Sequence, residues 1–375
     1  MQKSFDVIQI LSDLVAVDSR SNKDNKQIID LLSNWFKTYE QYRQEWVRED
    51  GVKGQNLIVK IPGKRSDNSL VIVCHMDTVP PSDAWETDPF ILEEAEGKLF
   101  GLGVCDTKGG IAAAIAAVCT LQEQPATDVY FLFDGDEESF ATGARKFKKT
   151  CNLKNPKFIF IEPTEQNVMT AQRSVFSLSI RTHGIAQHAS LGTPEKNENE
   201  SAIYKMTRVL NMLIEDAKEL SKEKDSVLGS NSQNIGTILG GTAGNVIPDR
   251  CEVSVDRRLL PGRTLDGEVQ RIKKLVQSID NHSEIMNIDM APGFHTSEQS
   301  DFVQKTKHIM EQYYPQTSFA PFIAWSEAGL FQDLGDVIIL GPGSLINQAH
   351  KANEYIEAKD LFNFVHVYKD ILLTA

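Results

Sequence analysis

The stretch KGGIAAAIAAVCTLQEQPATDVYFLFDGDEES, from Lys108 to Ser139, decides the fold class. Its first half is apolar and rich in alanine, which predicts a buried helix. Its second half contains VYFLF (Val129–Phe133), a continuous apolar run of the length of a strand. A strand without polar alternation is typical of a sheet that helices cover on both faces, so the stretch predicts an α/β protein.

Further apolar runs on both sides of this stretch are predicted strands of the same sheet. They are Asn56–Ile61, Ser69–Cys74, Lys157–Glu162 and, near the end of the chain, Asp336–Gly343. Helices are predicted at the N-terminal end and over Asn25–Tyr42. Because strands and helices alternate in this way, the α/β character extends to both ends of the chain.

The middle of the chain has a different order of elements. The predicted elements are a strand at Val175–His183, a helix at Glu200–Lys222, strands at Asn234–Leu239 and Cys251–Leu259, a helix at Leu265–Ile279 and a strand at Glu284–Met290. This β-α-β-β-α-β order is that of a ferredoxin-like α+β sandwich. We therefore predict an inserted domain over residues 174–290, and a discontinuous first domain formed by residues 1–173 and 291–375.

Composition excludes several classes of protein. The 375 residues carry a formal net charge of −13, which argues against nucleic acid or an anionic membrane as the main partner. Asp6 and Asp13 interrupt the apolar N-terminal segment, so we expect no signal peptide, and no apolar run is long enough for a transmembrane helix. The 5 cysteines form no CxxC pair, which favours a reducing compartment. These observations predict a cytoplasmic enzyme.

An acidic cluster follows VYFLF: Asp134, Asp136, Glu137 and Glu138. By itself such a cluster fits a solvated turn. However, other predicted strands and the alanine-rich helix are also flanked by polar residues, namely His75 and Asp77, Asp106, Glu162 and His350. Each alone has an ordinary explanation, such as a helix N-cap, a solvated strand end or a surface histidine. Since the carboxyl ends of parallel strands meet at one edge, where ligands bind, the set predicts a pair of divalent cations there.

The residue types indicate which metal and which chemistry. Two histidines and three carboxylates without a thiolate suit zinc, and they tolerate cobalt or manganese. One bridging carboxylate and two further ligands per metal leave open positions, where two metals can activate a water. In a strand, residues i and i+2 share a face, so Asp77 can hold the ring of His75. Of Glu137 and Glu138, one can bind metal while the other serves as the general base.

Eight segments carry a resemblance to a known family. In chain order they are VIVCHMDTVP, LFGLGVCDTKGG, FDGDEES, FIEPTE, QHAS, GGTAGNVIP, VDRRLLPG and ILGPGSLINQAHKANEYI, between Val71 and Ile356. Together they resemble the metallo-aminoacylases and exopeptidases that include acetylornithine deacetylase and succinyl-diaminopimelate desuccinylase. The resemblance implies a zinc-exopeptidase-like catalytic domain, with a central mixed sheet covered by helices. It also implies that the inserted domain is a lid that forms the contact of a homodimer.

The resemblance also implies a role for each site residue. His75 and Glu162 would bind one metal, Glu138 and His350 the other, and Asp106 would bridge the two; Glu137 would be the base and Asp77 the partner of His75. In the inserted domain, His188 would help to hold the scissile carbonyl oxygen, while Asn245 and Arg258 would meet the substrate carboxylate. For these last three, solvated surface residues remain the alternative.

Within that family, WSEAGLF and the two last segments are most similar to acetylornithine deacetylase and acetylcitrulline deacetylase. The implied reaction removes the acetyl group from an N-acetylated amino acid, N-acetylornithine first, as in arginine biosynthesis. A desuccinylase or dipeptidase with the same metals is an alternative, and a non-catalytic binding protein is a remote one because no candidate ligand or base is lost. The sequence contains no P-loop, no dinucleotide-binding fingerprint and no G-x-S-x-G elbow.

Overall fold

The structure is a computed structural model that describes residues 6–374. Its α-helices are α1 (Val7–Val15), α2 (Lys26–Trp35), α3 (Lys108–Cys119), α4 (Thr142–Thr150), α5 (Pro194–Glu200), α6 (Ala202–Leu220), α7 (Leu265–Ile279), α8 (Asp301–Tyr313) and α9 (Ala358–Thr374). Two short 3-10 helices span Ala189–Leu191 and Glu327–Phe331. None of the helices between residues 6 and 374 has both the length and the apolar character needed to cross a bilayer.

The strands of the first half are β1 (Glu40–Val47), β2 (Lys53–Ile61), β3 (Ser69–His75), β4 (Glu93–Ala95), β5 (Lys98–Phe100), β6 (Asp128–Asp134), β7 (Pro156–Phe160), β8 (Val168–Gln172), β9 (Ser174–His183) and β10 (Gln187–His188). Those of the second half are β11 (Lys224–Asp225), β12 (Gly229–Ser230), β13 (Ser232–Gly240), β14 (Val246–Ile247), β15 (Arg250–Leu259), β16 (Glu284–Ala291), β17 (Phe294–His295), β18 (Phe319–Phe322), β19 (Val337–Ile339) and β20 (Tyr355–Glu357).

The chain divides into two compact units. The first unit runs to Ala171 and continues over His295–Phe322 and from Ser326 onward. The second unit consists of Gln172–Phe294 and Ile323–Trp325. The predicted domain boundaries, between residues 173 and 174 and between residues 290 and 291, lie within a few residues of the boundaries of the second unit. The sequence did not predict that Ile323–Trp325 also belongs to the second unit.

The first unit is built on a mixed sheet, which confirms the predicted α/β class. The sheet has the order β1-β2-β6-β3-β7-β19-β8-β17, and β18 also pairs with β8. The four central strands β6, β3, β7 and β19 run parallel to one another. Strand β2 pairs antiparallel with both β6 and β1, and β8 pairs antiparallel with β19. Because these four strands run in the same direction, their carboxyl ends lie at one edge of the sheet.

Helices cover both faces of this sheet. Successive strand residues point to opposite faces, so neighbouring residues of one strand contact different helices. On one side α1, α2, α3, α8 and α9 share a continuous core with sheet residues such as Ile72 and Ile159. On the other side Phe158 and Phe160 contact Phe331 of the 3-10 helix, with ring centroids 5.1 and 5.3 Å apart. The predicted alanine-rich helix is α3, and its small residues permit close packing: a Cβ on Gly110 would lie 2.2 Å from Ile161.

One predicted helix is partly wrong. The segment Asn25–Tyr42 was expected to be a single helix, but α2 ends at Trp35 and the chain then enters β1 at Glu40. The strand EQYRQEWV forms the antiparallel edge of the sheet beside β2. Only Gln44 and Trp46 of it are buried. An edge strand that is polar on most positions gives little apolar signal, which is why the sequence favoured a longer helix.

The second unit has its own sheet and its own core. Its four-stranded antiparallel sheet has the order β13-β15-β9-β16, and helices α6 and α7 lie between the strands in sequence. The order of elements and the sheet order are those of a ferredoxin-like sandwich, as the sequence predicted. The core residues include Ile180, Met206, Val253 and Ile272, from two strands and two helices.

Candidate metal centre

Three of the predicted ligands, His75, Glu138 and Glu162, lie at or just after the ends of neighbouring parallel strands. His75 is the last residue of β3 and stands in register with Asp134, the last residue of β6. Glu137 and Glu138 come three and four residues after the end of β6, and Glu162 comes two residues after the end of β7. Because these strands are parallel neighbours, residues that are far apart in sequence become neighbours in space.

A first cluster consists of His75, Asp106 and Glu162, all of them buried. Nε2 of His75 lies 3.0 Å from Oδ1 of Asp106 and 3.8 Å from Oε2 of Glu162. The other ring nitrogen, Nδ1, lies 3.1 Å from the backbone carbonyl oxygen of Asp77. The three ligand atoms lie within 4.8 Å of one another, so a single cation between them would reach all three.

A second cluster shares Asp106 with the first. Its other members are Glu138 and the half-exposed His350. Nε2 of His350 lies 3.0 Å from Oε1 of Glu138 and 3.5 Å from Oδ2 of Asp106. The two oxygens of Asp106 therefore face two different histidines, which is the arrangement that a carboxylate bridging two cations requires.

The donor set fits divalent metal ions. Each cluster offers one imidazole nitrogen and two carboxylates, with Asp106 in common, and this combination suits zinc and similar ions. Burial raises the pKa of Glu162 to about 7, and burial also raises the pKa of Glu138. Carboxylates that are buried close together repel one another, and a bound dication would stabilise their charged forms.

The two histidines respond to the same negative field. Burial opposes the protonation of His75, but Glu162, Asp106 and Asp77 raise its pKa well above the ordinary value. The hydrogen bond with Glu138 raises the pKa of His350 to about 9. Both shifts show that this edge of the sheet attracts positive charge, whether a proton or a metal.

Asp77 and Glu137 lie beside the first cluster. Oδ1 of Asp77 is 3.7 Å from Nδ1 of His75, farther than the carbonyl oxygen of the same residue. The Asp77 carboxylate also accepts hydrogen bonds from the backbone amides of Glu137 and Glu138, each at 3.2 Å. The side chain of Glu137 is buried, and burial raises the pKa of its carboxyl well above the usual value. A carboxyl in that environment is suited to proton transfer near neutral pH.

Asp134 and Asp136, the other two acidic residues of the run after β6, contact groups outside the two metal-ligand clusters. Asp136 makes a buried ion pair with Arg48, whose Nη1 lies 2.8 Å from Oδ1. Oδ2 of Asp136 accepts hydrogen bonds from the hydroxyl and the amide of Thr142. Asp136 thereby fixes the turn that carries Glu137 and Glu138. Asp134 is buried beside Glu327, and burial raises the pKa of Asp134 to about 7.

Sequence reasoning missed two residues near the clusters. Glu354 accepts hydrogen bonds from the backbone amides of Gly103, Cys105 and Asp106. Glu327, in WSEAGLF, is buried next to Asp134. In the sequence, each is only an acidic residue within a segment that carries the family resemblance. The residue type alone does not indicate what the side chain contacts.

The three predicted substrate residues all lie in the second unit. His188 belongs to β10, and its Nδ1 lies 2.7 Å from the hydroxyl of Ser190. Asn245 precedes β14, the partner strand of β10, and its carbonyl oxygen accepts a hydrogen bond from Ala189. Arg258 lies on β15 and donates from Nε to Asp256 at 2.9 Å. Both His188 and Asn245 are exposed, and the Arg258 side chain is 36% exposed.

The chain matches a known protein family. The sequence profile of Peptidase family M20/M25/M40 matches residues 71–374. This span covers most of the chain and contains all the candidate site residues of both units.

Similar sequences and structures agree with that match. An acetylornithine deacetylase of Pasteurella multocida (strain Pm70) is 28% identical over 375 residues, covering 96% of this chain and 95% of the relative. An acetylornithine deacetylase of Proteus mirabilis (strain HI4320) is 29% identical over 351 residues, covering 91% and 88%. The crystal structure of aminopeptidase PepT from Bacillus cereus has a TM-score of 0.80 at 20% identity, covering 99% of this chain and 98% of that one. The YXEP protein of Bacillus subtilis, a dinuclear metal-binding peptidase of the M20 family, has a TM-score of 0.69 at 15% identity and covers 98% and 96%.

Proposed function

The chain belongs to peptidase family M20/M25/M40 and is an enzyme, and from this we propose that it is a metal-dependent amide hydrolase acting on an N-acylated amino acid. Its substrate would be a small molecule, and its cofactors would be two divalent ions. We propose Zn²⁺ as the native metal and Co²⁺ as a working substitute, because the ligand set contains only nitrogen and oxygen donors.

The observation that carries this proposal is the position of Asp106 between two histidines. Its Oδ1 lies 3.0 Å from His75 and its Oδ2 lies 3.5 Å from His350. Glu162 completes the first cluster and Glu138 the second. We propose that the five side chains hold two ions, with His75 and Glu162 on one, Glu138 and His350 on the other, and Asp106 on both.

We propose Glu137 as the general base and acid of the reaction. Metal ions in such a site polarise the scissile carbonyl and make a water easier to deprotonate. Glu137 accepts the proton of the attacking water, because its carboxyl is buried beside the first cluster and its pKa is raised by that burial. After the carbonyl carbon has been attacked and the amide bond breaks, Glu137 donates the same proton to the leaving amine. Asp77 keeps His75 and Glu137 in place for these steps.

The acyl group and the amino acid are the finer part of the proposal. Two relatives that align over most of the chain are acetylornithine deacetylases, which supports acetyl as the acyl group and ornithine as the product, as in arginine biosynthesis. At 28% and 29% identity these relatives leave other amides open. N-acetylcitrulline, N-succinyl-diaminopimelate and a dipeptide are therefore the competing substrates.

We propose that the second unit supplies the residues that recognise the substrate. His188 would donate a hydrogen bond to the scissile carbonyl oxygen, and Arg258 would bind the substrate carboxylate through its planar guanidinium, with Asn245 beside it. The exposure of these side chains supports such roles, since exposed side chains can contact a substrate and residues of the hydrophobic core cannot. In this proposal the second unit acts as the lid of the active site.

We also propose that the enzyme is a cytoplasmic homodimer that pairs through the second unit. Strand β13 is the edge of the four-stranded sheet, and it exposes Ile238 by 55% and Leu239 by 73%. An exposed edge with apolar side chains is a surface for pairing with another strand. A second copy of the same unit would offer a matching edge.

A substrate panel tests the proposed function. Protein freed of metal and then loaded with Zn²⁺ or Co²⁺ is given N-acetylornithine, N-acetylcitrulline, N-succinyl-diaminopimelate and a dipeptide, and the released amine is measured. We expect hydrolysis with either metal, fastest for an acetylated substrate, and none after chelation. Preferred cleavage of the dipeptide or the succinyl amide would redirect the substrate assignment, whereas no hydrolysis of any amide with either metal would contradict the proposal.

A further inference from the structure

Glu354 is a buried acidic residue that the proposed chemistry does not use. It is 2% exposed and precedes strand β20. Its Oε1 accepts hydrogen bonds from the amides of Cys105 at 2.7 Å and Asp106 at 3.0 Å, and its Oε2 accepts one from Gly103 at 2.9 Å. A single carboxylate thus binds three backbone amides of the loop that ends in Asp106.

These hydrogen bonds determine the shape of that loop. The loop lies between β5 and α3, and a buried amide that lacks an acceptor destabilises the fold. Hydrogen bonds to a charged acceptor are stronger than neutral ones, so a carboxylate is well suited to hold several amides at once. Because the amide of Asp106 is one of the three, the backbone that carries the shared carboxylate is fixed directly by Glu354.

Glu354 is itself fixed in position. Strand β20 pairs antiparallel with β5, so that Tyr355 stands opposite Phe100. The carbonyl oxygen of Glu354 also accepts a hydrogen bond from the amide of Gly101 at 3.1 Å. Both the backbone and the side chain of Glu354 are therefore hydrogen-bonded to the segment that leads from β5 to Asp106.

The same short segment carries a member of the second cluster. His350 lies four residues before Glu354 in the sequence HKANE, and its Nε2 lies 3.5 Å from Oδ2 of Asp106. The segment from His350 to Glu354 thus contacts Asp106 twice, once at its carboxylate and once at its amide. These two contacts connect the backbone and the carboxylate of Asp106 to the segment that carries His350.

We propose that Glu354 is a positioning residue that holds Asp106 between the two histidines before any metal binds. This inference rests on the proposed function, because it assumes that Asp106 bridges two metals. Glu354 touches neither substrate nor metal in this account, and its effect passes through the loop Gly103–Asp106. Its removal should weaken metal binding first, and activity should fall as a consequence.

The substitution Glu354→Gln is the first test. Glutamine has nearly the same size but carries one acceptor and one donor, so at least one of the three amides would face another donor. We expect the dissociation constant of at least one metal ion to rise about 10–100-fold, the range for residues that orient metal ligands. The matched control is Glu357→Gln, the same change at an exposed position on β20, which should bind metal like the wild type.

Metal titration of metal-free protein by calorimetry provides the readout, together with the visible absorption spectrum of the Co²⁺-loaded form. Weakened binding and an altered spectrum in Glu354→Gln, with Glu357→Gln unchanged, would support the inference. Unchanged binding and an unchanged spectrum would overturn it, even if Glu354→Gln were less stable. A wild type and a control that both bind no metal would contradict the proposed function as well, so the two failures are distinguishable.

A measurement on the wild type keeps the inference testable if Glu354→Gln does not fold. In metal-free wild-type protein, hydrogen exchange of the amides of Gly103, Cys105 and Asp106 should be slow, because Glu354 already holds them. Exchange at the rate of an unstructured peptide would show that the loop is not held without metal, and it would overturn the inference.

Discussion

The carboxylate of Asp77 accepts a hydrogen bond from the backbone amide of Glu137, with 3.2 Å between Oδ1 and the amide nitrogen. Its other oxygen accepts one from the amide of Glu138 at the same distance. The sequence predicted Asp77 only as a partner of the His75 ring. In the structure it connects the strand that ends in His75 to the turn that carries both glutamates, so one side chain orders groups from two strands.

The first prediction concerns that connection. In Asp77→Asn, one carboxylate oxygen becomes an amide donor that faces the backbone amide of Glu137 or Glu138. We expect the turn to shift and metal affinity or turnover to fall about 10–100-fold. The control is Asp67→Asn, an exposed position in the first unit. Metal titration and steady-state kinetics check the prediction, and wild-type values for both in Asp77→Asn would contradict it.

The second prediction separates metal binding from proton transfer. Glu137→Gln keeps the size of the side chain but cannot accept the proton of the attacking water. We expect turnover to fall about 10²–10⁴-fold, the usual contribution of a general base, while metal content stays near that of the wild type. Glu45→Gln, an exposed change on β1, should alter neither. Full turnover in Glu137→Gln would assign the base elsewhere.

The third prediction concerns the buried ion pair between Arg48 and Asp136, in the turn that precedes Glu137. Arg48→Met leaves Asp136, whose side chain is 0% exposed, without its cation. Loss of one partner of a buried pair typically costs about 3–5 kcal/mol in the free energy of unfolding. Arg43→Met removes an exposed pair with Asp30 and should cost about 1 kcal/mol or less. Urea unfolding of both variants checks the difference, and equal costs would show that Arg48 contributes no more than a surface residue.

The fourth prediction contrasts two adjacent arginines of β15. Arg257 is fully buried, and its Nη2 lies 2.7 Å from Asp216, whereas the side chain of Arg258 is 36% exposed. We expect Arg257→Met to reduce the free energy of unfolding by about 3 kcal/mol, because Asp216 stays buried with one cation fewer. Arg258→Met should leave stability nearly unchanged, since its pair with Asp256 is exposed.

Arg258→Met should instead raise KM about tenfold or more if Arg258 binds the substrate carboxylate, since hydrogen bonds to charged groups contribute about 1.5–3 kcal/mol. Urea unfolding and kinetics on the preferred substrate measure the two effects. A KM at the wild-type value in Arg258→Met would remove Arg258 from substrate recognition.

The sequence alone predicted what depends on apolar pattern and on the order of helices and strands along the chain. VYFLF, SLVIVC and the alanine-rich helix were recognisable because buried strands and helices need long apolar runs. The buried Arg257 and the partly exposed Arg258 lie on opposite faces of β15, because the pleat of a strand determines which residues share a face. Edge strand β1 was missed because its polar sequence resembles an extension of the preceding helix.

Contacts between distant segments could not be predicted in the same way. Nothing in HKANE indicates that Glu354 binds amides some 250 residues away, because that contact depends on the pairing of β20 with β5. Likewise, the hydrogen bonds of Asp77 to the turn after β6 depend on the order of the parallel strands. Residue type and spacing identified the metal ligands as candidates, but the residues that hold them in place became visible only in the structure.

The most direct test of the two-metal site is diffraction from a zinc-loaded crystal, with anomalous data collected at the zinc edge. We predict two peaks about 3.5–4 Å apart, the usual separation in two-metal sites. One should lie between His75 and Glu162, the other between Glu138 and His350, with Asp106 contacting both. Zinc bound elsewhere, or His75 and His350 too far apart to share ions with Asp106, would contradict the proposed two-metal site.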